Sequence, residues 1–117
     1  MTTAAELLAL ARRVLDGSLP MPALRAPRAA AILARQALED AVRGLCASAR
    51  ADVGHARTRS QLIVLRALLG DTVADLAEAA WLGLSRACHH HAYELTPTWA
   101  EIKHLIELVD RLVTTDA

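Results

Sequence analysis

The sequence predicts an all-α fold, an antiparallel four-helix bundle with a short additional helix. Three observations carry that expectation. The composition is 54% hydrophobic and rich in Ala and Leu, the strongest helix formers. Apolar residues recur at spacings of three and four along several segments, the period of one helix face. The 5 Gly and 4 Pro are few, and alternating runs of Val, Ile, Thr and aromatic residues, which would mark strands, are absent. At 117 residues the chain reads as a single domain over 1–117, long enough to bury a core without disulfides or metal.

The first helix is expected over residues 4–15. Thr3 caps it, with Glu6 placed three residues later for a capping box, and Gly17 ends it. Leu7, Leu8, Leu10, Ala11 and Val14 form its face. A turn-rich connector over 18–23 follows, short enough to be a packed loop, with Leu19 and Met21 as anchors. The second helix begins at Ala26 or Pro27, where a proline costs no hydrogen bond, and reaches Ala49. Its inner stripe is Ala31, Ala34, Leu38, Ala41, Val42, Leu45 and Ala49, and Gly44 is read as the site of a close crossing.

Residues 52–55 form a loop, and a short helix over 59–69 comes next. It is apolar on most sides (Leu62, Ile63, Val64, Leu65, Leu68, Leu69), with Arg66 as the exception. Such a helix is either central in the bundle or part of an interface. Gly70 ends it and Asp71 is expected to cap the fourth helix, which spans 72–90 or beyond. Val73, Leu76, Ala77, Ala80, Leu84, Ala87 and Cys88 give its inner stripe, with Asp75 and Glu78 outward. The last helix, over 99–113, follows Pro97 and a second capping box, Thr98 with Glu101. Ile102, Leu105, Ile106, Val109, Leu112 and Val113 are its core face.

Thirteen basic residues balance thirteen acidic ones, and every basic residue but Lys103 is an arginine. Zero net charge argues against a broad electrostatic footprint for nucleic acid while leaving room for a local arginine cleft. Cys46 and Cys88 lie in apolar helical contexts and read as free thiols in a reducing cytosol. No signal peptide is apparent, and the apolar runs are broken too soon for a membrane span, so a cytoplasmic protein without membrane contact is expected. With aromatics limited to Trp81, Trp99 and Tyr93, the apolar fraction exceeds what one small core uses, which favours a homodimer.

The most informative stretch is Arg86-Ala-Cys-His-His-His-Ala-Tyr93. Three consecutive histidines on a helix point about 100° apart, so they cannot all face the core. His91 continues the inner stripe. Arg86 and His90 share a flank, Tyr93 lies two turns from Arg86 on that side, and His89 points nearer Asp71, Asp75 and Glu78. Arg86 and His91 diverge by about 140° on an ideal helix, so they converge only through a second subunit or a helix break.

The spacing of Arg86, four intervening residues, His91, one residue and Tyr93 resembles the Arg-x4-His-x-Tyr signature of the HEPN superfamily. The likeness is strongest to HEPN toxins paired with minimal nucleotidyltransferase antitoxins. The resemblance implies a helical bundle that dimerises. It also implies a metal-independent endoribonuclease in which Arg86 and His91 of both subunits meet at a cleft. There a ribose 2′-hydroxyl attacks the neighbouring phosphate and leaves a cyclic phosphate. That chemistry suits the residue types: a histidine moves protons near neutral pH, and an arginine holds phosphate in a bidentate fork. By the same resemblance Tyr93 is a site for nucleotidylation by an antitoxin, and no cofactor is implied.

Here Ala87 stands where active members commonly carry a polar residue, and His90 offers a rival base with His89 beside it. Arg57, Arg59 and Arg66, just before the motif helix, are candidate contacts to single-stranded RNA. Two other functions compete. One is a metal site drawn from Cys88, the histidines, Glu94 and His104, for which no paired ligand spacing is present. The other is a non-catalytic helical module for dimerisation or for binding RNA or protein, favoured by the neutral charge and the apolar short helix.

Overall fold

The first and last helices start at threonine caps that the sequence marks. A computed structural model of the chain describes residues 2–49, 51, 54, 56–89 and 97–115. Among these, five helices are present: α1 (Ala4–Asp16), α2 (Ala26–Ser48), α3 (Thr58–Leu69), α4 (Asp71–Cys88) and α5 (Trp99–Val113). The hydroxyl half of each predicted capping box is formed: Thr3 Oγ1 accepts from Glu6 N, and Thr98 Oγ1 from Glu101 N, both at 3.1 Å. Gly17 stops α1 in the left-handed region at φ 84°, a conformation that costs glycine little.

Helix α2 is the axis of the molecule and touches all four others. Helices α1, α2, α4 and α5 close a ring, α1 on α2, α2 on α4, α4 on α5 and α5 on α1, and α3 leans on α2 and α4 alone. This is the expected four-helix arrangement with one short addition. The alanine stripe of α2 lies at its centre, with Ala30, Ala31, Ala34, Ala37 and Leu38 wholly buried. Leu8, Leu65, Leu84, Ile102, Ile106 and Leu112 pack around it, each contributing roughly 2 kcal/mol of apolar burial. Cys46 is buried and Cys88 half-buried, both unpaired.

Four expectations are corrected. Asp71 does not cap α4; Gly70 occupies that position and Asp71 is the first helical residue, its carboxylate held by Arg66 instead. Met21 does not anchor the connector and is exposed. Leu19 does pack on the core, and its N–H donates to the Arg13 carbonyl at 3.0 Å. Helix α4 ends at Cys88 rather than passing His90, because His89 turns extended at φ −85°, ψ 133°. Gly44 is exposed and a Cβ there would meet nothing within 4 Å, so it marks no crossing. The close approach is at Gly83, where a Cβ would lie 2.5 Å from Leu105 Cδ2 of α5.

The two glycines therefore respond oppositely to added bulk. Gly44→Ala removes backbone entropy from an open helical position and is expected to raise unfolding free energy by about 0.5–1 kcal/mol. Gly83→Leu drives α4 off Leu105 and is expected to lower it by roughly 1–3 kcal/mol. Urea unfolding followed by circular dichroism reads both; equal effects of the two would contradict the crossing.

Candidate functional site

Two surfaces flank Trp81, and the candidate residues divide between them. Helices α3 and α4 are joined through Gly70 alone, at φ 90°, which folds α3 back against the first turns of α4. The polar anchor is Arg66. Its guanidinium donates to Asp71 Oδ1 at 2.8 Å, Asp75 Oδ1 at 2.7 Å and Glu78 Oε2 at 3.2 Å. Bonding to Asp75 first, and then to Asp71, raises the Arg66 pKa above its ordinary value. One guanidinium thus serves three carboxylates. Arg66 is committed to this cluster, and the cluster as a whole remains negative.

The entry to α3 is built differently. Gln61 is buried, and its Nε2 donates to the Ala56 carbonyl at 2.9 Å while its backbone N–H donates to the Arg57 carbonyl at 3.0 Å. These bonds hold the segment that carries Arg57. Arg57, Thr58 and Arg59 line a depression of about 460 Å³ together with Arg35 of α2 and Trp81 of α4. Arg35 Nε donates to Glu39 Oε1 at 3.3 Å. No carboxylate pairs with Arg57 or Arg59 among the described residues. Arg35 and Trp81 are members that the sequence did not single out. The signal available was weak: Arg35 is one of several arginines on α2, and Trp81 reads as packing.

Along α4 the Trp81, Ser85 and Cys88 positions fall at helical spacing. Trp81 Nε1 and Ser85 Oγ are buried without a hydrogen-bond partner among the described residues. Burial pushes the Cys88 thiol pKa up, against the opposing pull of Arg35 and Arg28. Burial alone raises that of Cys46.

On the other side of Trp81, a smaller depression of about 190 Å³ is lined by Leu62, Ile63, Trp81 and Leu82, with Arg59, Arg66 and Glu78 at its margin. Ile63 is 67% and Leu82 54% exposed. Helix α3, packed on α2 and α4 alone, is therefore peripheral rather than central.

Arg86 is exposed in the last turn of α4, where its charge complements the negative end of the helix dipole. His89 follows as an exposed residue at the C-cap. Although an ideal helix sets His89 on the side of Asp75 and Glu78, the two groups sit at opposite ends of α4, roughly 20 Å apart along its axis. His90, His91, Tyr93 and Glu94 lie outside the described residues, as does His55. His104 is exposed on α5.

Among the described residues no three His, Cys, Asp or Glu side chains are placed to hold a metal ion, and no helix is long and apolar enough to cross a membrane. No family model, curated protein or solved structure matches the chain.

The acidic cluster sets a salt-sensitive test. Arg66→Gln leaves Asp71, Asp75 and Glu78 repelling one another, and is expected to lower the melting temperature slightly at low ionic strength. The deficit should shrink in 1 M salt, which screens exposed charges. A salt-independent loss would mean that Arg66 acts through packing instead.

Proposed function

We propose that this chain is a HEPN-like helical module whose task is association, first with a second copy of itself. The observation that supports this reading is the exposed face of α3 and α4. At its middle lie Ile63 and Leu82, apolar and more than half exposed. Along α4 the same stripe runs at helical spacing from Asp75 and Glu78 through Leu82 to Arg86, acidic, then apolar, then basic. A two-fold axis near Leu82 turns such a stripe into its own complement. It sets Arg86 of one copy against the negative cluster of the other and buries both apolar centres.

Leu82→Glu, alone or with Ile63→Glu, is expected to weaken self-association by at least about tenfold, because the introduced carboxylate would be buried at the centre of the interface. Helicity should be unchanged, since both residues are exposed. Sedimentation velocity across a micromolar concentration series reads the change. A wild-type chain that remains monomeric throughout would overturn the reading.

A second reading keeps the ribonuclease implied by the HEPN-like motif. It is favoured by Arg86, which stands exposed in the last turn of α4, close to where the helix ends at Cys88. In that reading Arg86 holds the phosphate, His91 or His90 moves the proton, and His89 and Tyr93 line the site. A nucleotidyltransferase antitoxin is then the expected partner. Cleavage of single-stranded RNA with chelator present, abolished by Arg86→Ala and by His91→Ala at concentrations where both variants stay associated, is the expected result. Full activity in both variants would remove catalysis from the proposal.

A further inference from the structure

Where the end of α1 meets the start of α5, the two helices leave a groove of about 390 Å³. Leu15 and the buried Ile106 supply its apolar floor. The Thr98 cap fixes the first turn of α5 and so sets Trp99 at one end of the groove, 44% exposed. Trp99, Lys103 and Glu107 follow one another at four-residue intervals along the α5 wall, about 6 Å apart along the axis. The charges of the α1 wall are already engaged. Arg12 pairs with Asp110 at 3.5 Å, and Asp16 Oδ1 accepts from the N–H of Ser18 at 2.8 Å and from its hydroxyl. Those of the α5 wall are not. Among the described residues no side chain of opposite charge pairs with Lys103 or Glu107, and the two do not bond each other across their single turn. Lysine preceding glutamate is the weaker order for such a pair.

We infer that this groove binds a free aromatic amino acid as its zwitterion, with the ring against Trp99, the carboxylate on Lys103 and the ammonium on Glu107. Charge selects the zwitterion. One unengaged cation and one unengaged anion match a ligand that carries one of each, whereas an organic acid or amine answers only one of them. Spacing selects the amino acid. Its ring stands about one helical turn from the carbon that bears both charged groups, which is the interval from Trp99 to Lys103. The long side chains of Lys103 and Glu107 then reach that carbon's two substituents from adjacent turns. Trp99 offers the ring an offset-stacked partner, and Leu15 and Ile106 cover its edge. The volume falls within the range of small-ligand sites, which are apolar with a few placed polar groups. The groove belongs to α1 and α5, away from the α3–α4 face of Ile63 and Leu82, so binding there does not depend on self-association.

Titration of the full chain at low salt, followed by amide and indole chemical shifts in NMR, tests it. The probes are L-phenylalanine, 3-phenylpropionate, phenethylamine, L-alanine and N-acetylphenylalanine amide. Phenylalanine is expected to bind with a Kd of about 1 mM or below, the scale for so small a ligand in an open site, and to raise the melting temperature. Its shifts should centre on Trp99, Lys103 and Glu107. Each of the other four probes lacks a charge or the ring and should bind at least about fivefold more weakly. Trp99→Ala, Lys103→Gln and Glu107→Gln should each weaken phenylalanine binding by about fivefold or more, with helicity kept because all three residues are exposed. Arg43→Gln on α2 should leave it unchanged. Absence of binding up to about 20 mM phenylalanine overturns the inference, as do shifts centred elsewhere or equal weakening by Arg43→Gln. Equal affinity for phenylpropionate or phenethylamine also overturns it, since one of the two charges would then select nothing. Equal affinity for the capped amide does so too, because the groove would then be a docking strip for a chain segment.

Discussion

The close packing of α2 against its neighbours is the constraint from which the rest follows. Its buried face is mostly alanine, with Ala30, Ala31, Ala34 and Ala37 wholly enclosed. Small side chains bring helix axes together, and one helix can then touch four others. The same economy has a consequence outside. Alanine buries little apolar area, so larger residues gather on the outer helices, and α3, touching only α2 and α4, cannot cover all of its own. The exposure of Ile63 on α3 is the outcome of that geometry, and Leu82 of α4 lies exposed in the same depression.

Electrostatics are partitioned rather than absent. Net charge is zero over the chain, yet Arg66 serves three carboxylates at one end of the α3–α4 face while, among the described residues, Arg57 and Arg59 have none at the start of α3. Zero net charge argues against broad nucleic-acid adhesion. It does not level local fields, because carboxylates consumed by one guanidinium are unavailable to others a turn or two away. The surface therefore carries an acidic end and an apolar middle on α3 and α4, with an arginine-lined depression where α2 meets them beside Trp81.

Gln61 shows how a polar residue in an apolar helix supports this division. Its amide and backbone hold the segment entering α3, fixing Arg57 beside Arg35. The end of α4 matters in a similar way. Its last turn presents Arg86 to solvent, and His89 leaves the helix there with extended backbone.

Helix number, order and core faces were legible in the residues themselves, because caps such as Thr3 and Thr98 and stripes such as Ile102, Ile106 and Val109 act over one or two turns. The position of α3 was not, since its apolar surround fits a central and a peripheral helix equally. Nor was the crossing at Gly83 rather than Gly44, which depends on where Leu105 of another helix arrives. The candidate cleft lay further from reach: Arg57 and Arg59 stood out in the sequence, but Arg35 is more than twenty residues away and joins them only through the packing of α2 against α3 and α4. The motif at Arg86 was visible as spacing, and the structure contributed the point where its helix ends. Local chemistry determined the elements; which charges meet, and which are left without a partner, was decided by how those elements pack.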